Sequence, residues 1–408
     1  MIKKIIEFDN IYAIMEESFP EDERRPYKEQ KALLSDERYS IYGTAGGFIA
    51  AWEFDGFIFI EHFAVKKDMR NSGLGSRLLS EFLSKQKKPV CLEVEPPDTK
   101  IAKRRIGFYE RNGFFLNDYA YFQPPISAGK RTVPLMIMTS GSCVEKDKFD
   151  NIRKTLYREI YKYEGEIKMK ESIWNNFKRL DFEFEGREAI LIIPEKANDK
   201  KNWLFKTEYF DAFPGFEIEM VKRGWHIAYI KNTTRWCLDS DLDLKKRFAE
   251  FLKKEFGLYE KCVPVGMSCG GLIGSKFTAK YPECVSALYL DAPVMNFLSC
   301  PAGVGDAGSD MMEEFTKATG MTLCDLLSYR ENPIDKMHII LENKIPVIMV
   351  YGDSDKVVPY HENGAVFEKF YRENGGVIES YGKEGCGHHP HGLEDNTPII
   401  EFVEKYSR

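Results

Sequence analysis

No apolar run in this 408-residue chain is long enough to cross a bilayer as a helix. The opening residues 1–10 carry charge inside a short apolar stretch and have no signal-peptide core. The nine cysteines include no CxxC pair and cannot all be matched, so neither a disulfide framework nor a paired-cysteine zinc site is expected. That usage suits a reducing, cytoplasmic setting. Excess positive charge is also missing. A formal charge of −6 argues against a nucleic-acid binder, and no membrane partner is expected. There is no internal repeat and no low-complexity tract. What remains is the composition of an ordinary globular protein, in a chain longer than one hydrophobic core usually serves. These absences leave small-molecule substrates and a homo-oligomer open as partners.

The organisation changes along the chain. Residues 40–45 and 48–54 read as strands across a Gly46-Gly47 turn, and 57–65 as a long strand. Runs at 120–122 and 133–138 are expected to complete this first, α+β sheet. Phe149, Ile152, Leu156, Ile160 and Tyr163 repeat at spacings of three and four, which predicts a helix with one apolar face. That helix is expected to pack between two domains or on one of them. Beyond it, short apolar runs at 189–193, 203–205, 226–230, 262–265, 287–290 and 347–351 alternate with helical patterns. Such alternation predicts a mostly parallel sheet covered on both faces. The expected division is 1–140, a helical connector at 141–168, and 169–408.

Two segments of the first part carry chemistry. Gly73 and Gly75 flank Leu74 just before a helical pattern whose apolar face is Leu78, Leu79 and Phe82. Glycines at a helix start let backbone N–H groups approach an anion, and Arg70 adds a cation. A strand-to-helix turn of no function would also use glycine. Arg70-Asn71-Ser72-Gly73-Leu74-Gly75 resembles the coenzyme A loop R/Q-x-x-G-x-G/A of the GNAT acetyltransferases. Residues 106–114, IGFYERNGF, resemble a later segment of that family. The resemblance, over residues 1–140, implies a GNAT fold with a central mixed sheet and acetyl transfer from acetyl-CoA to an amine. It also implies a carboxylate base, with Glu61 the first candidate and Glu93 and Glu95 the alternatives. Tyr109 takes the position of the general acid. The backbone of Phe63, Ala64 and Val65 is implied to hold the pantetheine arm, and Arg70, Asn71, Ser72, Gly73, Leu74 and Gly75 the pyrophosphate. The run Glu23-Arg24-Arg25 reads as a solvated charge cluster. A coenzyme A-binding sensor without catalysis is the rival reading of this part.

In the second part, Gly266-Met267-Ser268-Cys269-Gly270 is a G-x-S-x-G between an apolar run and a helical segment. A sharp strand-to-helix turn there would lift the serine hydroxyl clear of the sheet. Gly352-Asp353-Ser354-Asp355 and Gly387-His388 follow in that order. The arrangement resembles the α/β-hydrolases, near carbohydrate esterases and prolyl-oligopeptidase-like enzymes. That resemblance implies Ser268 as nucleophile, His388 as base and Asp355 as acid, with Asp353 shaping the turn. Cys269 would supply one oxyanion N–H, and the loop 206–209, through Glu208 or Tyr209, the second. Cys386, His388, His389 and His391 match no common metal spacing, so no metal is expected. His389 and His391 read as structural or rim residues. The segment 298–331 is expected to cap the pocket.

Overall fold

The computed structural model describes residues 3–4, 8–163, 168–308 and 310–407. The chain divides into two compact units, Met1–Glu166 and Ile167–Arg408.

The first unit is built on a seven-stranded sheet. Its strands are β1 (Lys3–Lys4), β2 (Tyr39–Thr44), β3 (Gly47–Glu53), β4 (Ile58–Val65), β5 (Val90–Val94), β6 (Phe114–Leu116) and β7 (Met136–Ser140). The spatial order is β1-β2-β3-β4-β5-β7-β6. Every pairing is antiparallel except β4 with β5. Helices α1 (Phe8–Ser18), α2 (Tyr27–Ala32), α3 (Leu74–Leu83), α4 (Lys100–Arg111) and α5 (Lys146–Leu156) complete the unit. Strand side chains alternate between two cores, as a pleated sheet covered on both faces requires. Phe48, Ala50, Trp52 and Phe59 pack with α1 and α5, whereas Ile49, Ala51, Ile58 and Ile60 pack with α3 and α4.

Two expectations for this unit need correction. Residues 120–122 do not form a strand; only an isolated bridge between Gln123 and Val133 lies nearby. Tyr121 and Phe122 are buried as loop aromatics, so their apolar character came from packing rather than from a ladder. The run 23–25 is not a solvated charge cluster either. Arg25 is 5% exposed, because a buried carboxylate takes its charge.

The predicted 149–163 helix is α5, followed by one π-helical turn over Tyr157–Tyr161. Phe149, Ile152, Leu156 and Ile160 sink into the core shared with α1, as does Tyr161, whereas the predicted Tyr163 lies past the helical turns and packs on that core only partly buried. Residues 146–161 are thus an integral wall of the first unit.

The second unit holds a nine-stranded sheet. Its strands are β8 (Lys170–Trp174), β9 (Phe177–Phe184), β10 (Arg187–Ile193), β11 (Trp203–Lys206), β12 (His226–Ile230), β13 (Val263–Met267), β14 (Leu288–Asp291), β15 (Val347–Gly352) and β16 (Ile378–Lys383). They are ordered β16-β15-β14-β13-β11-β12-β10-β9-β8. The six from β16 to β12 are parallel, and β10, β9 and β8 extend the sheet as antiparallel strands. Helices α6 (Gly215–Lys222), α7 (Asp239–Phe256) and α8 (Cys269–Lys280) precede β12, β13 and β14 respectively. Phe248, Leu272 and Phe277 of α7 and α8 line one core, and Phe216 and Met220 of α6 the other. Both faces are therefore covered, and the residues of chemical interest collect at the carboxyl ends of the parallel strands.

Because Phe149 is fully buried beneath the sheet, Phe149→Ala should cost the first unit about 3–5 kcal/mol. In calorimetry of the full chain, the transition of the first unit should fall in temperature while that of the second stays in place.

Candidate active sites

In the first unit the β4–β5 ladder stops at Ile60 opposite Leu92, although β4 runs on to Val65 and β5 to Val94. Past that point the facing backbone edges of the two strands are released from each other. The residues expected to bind coenzyme A sit along this opening. Ala64 and Val65 pair with Phe48 and Gly47 on the β3 side, which leaves the β5 side of β4 for another partner. The loop that follows ends at Gly73, which caps α3 with φ +77°. That left-handed conformation is one a side chain resists. Asn71 also adopts positive φ, and its Oδ1 accepts from Arg104 Nη2 at 2.9 Å. Ser72 Oγ donates to Met69 O, and Arg70 Nε to Val65 O. The first turn of α3 holds no acidic residue, and the guanidiniums of Arg70, Arg77 and Arg104 stand around the loop. Exposed first-turn amides and nearby cations make a chemically suitable cradle for a pyrophosphate.

A β-bulge between Ala50 and Ala51 pairs Ala50 with His62 and Ala51 with Ile60, so Glu61 is the extra residue. The bulge turns Glu61 and His62 toward the same face of the sheet. Arg25 Nη1 donates to Glu61 Oε1 at 2.7 Å, and the side chains are 6% and 1% exposed. Burial alone would raise the Glu61 carboxyl; Arg25 and His62 outweigh it and hold it at about 2. His62 Nε2 lies 2.9 Å from Glu23 O.

Glu93 faces the same side from β5, where Tyr121 and Tyr161 donate to it, the latter at 2.9 Å. Burial dominates here, with Glu61 and Glu23 adding repulsion, and the carboxyl rises to about 7 despite the two phenols. Burial and the charge of Glu95 raise Glu23 to about 7 as well. Glu95 itself is half-exposed and paired with Arg105. Tyr109 lies on the opposite face, buried among Phe63, Phe108 and Phe114. Burial pushes its phenol up to about 12, so it stays protonated. The contact of Tyr161 was not legible in sequence, where Tyr161 fell outside the apolar spacing of the connector helix.

In the second unit the turn at Ser268 links β13 to α8 with φ +54° and ψ −120°. The turn is possible because the chain passes itself closely. A Cβ on Gly266 would lie 2.5 Å from Gly270 O, and one on Gly271 2.4 Å from Pro293 Cβ. Ser268 N donates to Asp291 O, and Ser268 O accepts from Gly271 N and Val294 N, so the strained residue is held on both sides.

The structure brings the three distant residues together. His388 Nε2 is 3.0 Å from Ser268 Oγ, and His388 Nδ1 is 2.7 Å from Asp355 Oδ2. Asp355 Oδ1 accepts from Val357 N and Val358 N at 2.8 and 2.9 Å. Burial raises the Asp355 carboxyl, but His388 and these amides bring it below the usual carboxylate value. Asp353 accepts from Gly385 N at 2.8 Å, which ties the acid turn to the histidine loop.

The expected oxyanion donors are also adjacent. Cys269 opens α8, so its N–H is one of the first-turn amides without an intrahelical acceptor. Of residues 206–209, Thr207 N is used by Val265 O. Glu208 N lies 3.5 Å from where a Cβ on Gly270 would sit, against the first turn of α8. Tyr209 N contacts Glu208 Oε1 at 3.3 Å. The Cys269 side chain is buried and its thiol is raised to about 12, chiefly by burial, so it is no thiolate nucleophile. Residues 298–331 include a helix, α9 (Met312–Thr319), whose Phe315 is fully buried against Trp236 and Phe297. Glu314 of α9 takes Arg235 and the indole of Trp236.

Residues 34–115 match the family described as acetyltransferase (GNAT) domain. The Bacillus subtilis (strain 168) protein YjbC, assigned by name as an acetyltransferase, is 31% identical over 163 residues. That alignment spans 38% of this chain and 84% of the relative. Through its first unit, the chain belongs to the GNAT acetyltransferases. A solved Bacteroides thetaiotaomicron protein, named as an acetyltransferase of that family, is 32% identical. It covers 40% of this chain and 98% of its own, with a TM-score of 0.37. An esterase of Thermogutta terrifontis is 16% identical and covers 59% of this chain and 90% of its own, with a TM-score of 0.37. The strand order, the strained serine turn and the crossover helices give the second unit the α/β-hydrolase fold. No helix among the described residues is long and apolar enough to cross a membrane.

The Arg25–Glu61 pair yields a stability prediction. Arg25→Met strands a buried carboxylate and should cost about 3–5 kcal/mol, most of it regained in Arg25→Met/Glu61→Leu. Because the folded carboxyl is depressed, its contribution is complete above pH 4.5 and fades as pH falls toward 2. Urea unfolding across that range should show the loss in the wild type and not in the double variant.

Proposed function

We propose that the chain is a bifunctional enzyme acting in a reducing, cytoplasmic compartment. Its first unit is an acetyl-CoA-dependent N-acetyltransferase, and its second an esterase-like serine hydrolase. One observation in each unit carries the reading. In the first it is a buried carboxyl near neutrality, Glu93, set across the sheet from Tyr109 at the β4–β5 opening. In the second it is the continuous hydrogen-bonded line from Ser268 through His388 to Asp355.

Acetyl-CoA supplies an acetyl group activated as a thioester, and the cradle at residues 70–75 would hold its pyrophosphate. Glu93 is the base this reading prefers to Glu61. A carboxylate at about 2 is too weakly basic to take a proton from an ammonium, whereas one near 7 is poised for it. Glu61 and Arg25 then fix the wall of the acceptor side. The Tyr109 phenol donates a hydrogen bond to the departing sulfur. Complete transfer to a thiolate whose conjugate acid lies near about 8.5 is uphill from a phenol at about 12, so stabilising the thiolate is its main contribution. Residues 146–161 belong functionally with residues 1–140, since Tyr161 holds the proposed base.

In the hydrolase, His388 takes the Ser268 proton as Oγ bonds to the substrate carbonyl. The Cys269 amide and one amide of Glu208 or Tyr209 receive the oxyanion. His388 then gives its proton to the leaving oxygen, and water repeats the sequence on the acyl-enzyme. Asp355 keeps the ring oriented and balances the imidazolium. The segment containing α9 closes over the acyl site as a cap.

Acetyl transfer from acetyl-CoA to a panel of amines should rise with pH through about 7, as Glu93 loses its proton. Glu93→Gln should lower it about 10²–10⁴-fold. Turnover with no amine, together with acetyl-CoA-dependent ester hydrolysis, would make the first unit a sensor instead. A fluorophosphonate should label Ser268, with labelling lost in Ser268→Ala. Asp355→Asn should lower ester hydrolysis about 10⁴-fold. Unchanged labelling in Ser268→Ala would remove the hydrolase assignment.

A further inference from the structure

Three imidazoles meet at the hydrolase relay, and only one is needed for it. The ring centroids of His388, His389 and His391 are 4.9–5.1 Å apart in every pairing, with interplanar angles of 65–90°. One ring nitrogen from each lies within 4.8 Å of those of the other two. Three histidines bonded to one zinc at about 2.0–2.1 Å, at tetrahedral angles, would hold their centroids about 5.2 Å apart. The observed spacing and mutual tilt are close to that.

The outer partners fit as well. A ligating histidine commonly donates its other N–H to a carboxylate, which fixes the tautomer and raises the basicity of the ligand nitrogen. His388 Nδ1 meets Asp355 Oδ2 at 2.7 Å, and His391 Nδ1 meets Asp291 Oδ1 at 2.7 Å. Asp291 is buried at the end of β14 and also accepts from Gly392 N at 2.6 Å, so the second carboxylate is as firmly held as the first. Nothing in the hydrolytic chemistry requires that second carboxylate–histidine pair. His389 is exposed and stacks on Phe213 at 5.5 Å, leaving it room to swing inward.

We propose that His388, His389 and His391 form an inhibitory site for a divalent cation of the zinc type, which silences the hydrolase by taking the His388 ring out of the Ser268–Asp355 relay. Both nitrogens of His388 are engaged in that relay. A cation at Nε2 deprives the Ser268 hydroxyl of its acceptor, and one at Nδ1 displaces Asp355. No substrate bond is made or broken in this step, and no electron moves. The cation is an inhibitor, not a cofactor. The inhibition rests on the serine-hydrolase reading, but the binding does not.

The test uses the full chain and zinc chloride, with calorimetry for binding and p-nitrophenyl acetate for turnover. The wild type should bind zinc and lose turnover in parallel, with recovery on adding EDTA. His389→Ala should keep metal-free turnover and need at least about 10-fold more zinc for both effects. His361→Ala alters the separate group Asp306, His361 and Glu362 and should leave inhibition unchanged. Ser268→Ala should keep the high-affinity binding although it turns nothing over. Equal zinc affinity in wild type and His389→Ala, or inhibition lost in His361→Ala, overturns the proposal. Should the wild type hydrolyse no ester, the hydrolase reading fails, and the calorimetric comparison with His389→Ala still decides the metal site.

Discussion

A parallel pair of strands has to end, and the backbone groups beyond its last ladder bond must be met by something else. Both candidate sites grow out of that requirement. In the first unit, β4 and β5 part after Ile60 and Leu92, and the bulge at Glu61 adds a second disturbance on the β3 side. Pairing can no longer dictate what fills the opening, so side chains from both faces converge on it. In the second unit, six parallel strands finish along one edge. The turns beyond β11, β13, β15 and β16 deliver Glu208, Ser268, Asp355 and His388 to a common point. Close approach of Gly266 to Gly270, and of Gly352 to the carbonyl of Gly387, draws those turns together.

Electrostatics then separates residues of identical type. Glu61 and Glu93 share a face of one sheet. One lies beside a guanidinium and is held at about 2; the other lies between two phenols and two like charges and rises to about 7. That contrast is why the proposed mechanism gives Glu93 the proton and Glu61 the wall, since a group poised near neutrality trades a proton more readily. The hydrolase divides its carboxylates in a related way. Asp355 receives two amides and an imidazole, whereas Asp353 receives the backbone of the histidine loop and positions it.

Much of this was legible in the sequence, for identifiable reasons. Strands 39–44 and 47–53 are bounded by a Gly-Gly turn, and the Ser, Asp and His segments each carry short-range chemistry that survives without context. The apolar face of α3 at Leu78, Leu79 and Phe82 is buried as its spacing predicts. What escaped was long-range. Residues 120–122 are apolar because they pack, and periodicity over three residues cannot separate that from a strand. Arg25 looked solvated because its partner, Glu61, is 36 residues away. The hairpin β8–β9 is rich in charge, which masked its pairing. Tyr161 lies off the apolar spacing that predicted the helix, yet its hydroxyl reaches a carboxylate on β5. The choice between Glu61 and Glu93 depends on such partners, so adjacency to the coenzyme A loop could not make it.

The histidine loop shows the same limit from the other side. Linear spacing of His388, His389 and His391 matches no common ligand pattern, because such patterns assume regular backbone between ligands. Here a loop brings three neighbouring imidazoles to within 5.1 Å of one another, with His389 exposed, and two carboxylates, Asp291 and Asp355, orient the other two rings. The arrangement that readies His388 to accept a proton, a buried carboxylate behind the ring, is also the one that readies an imidazole to hold a metal. Proton acceptance and metal binding draw on the same lone pair, so the proposed base role of His388 and the proposed cation site, with two more imidazoles within 5.1 Å, compete for one atom.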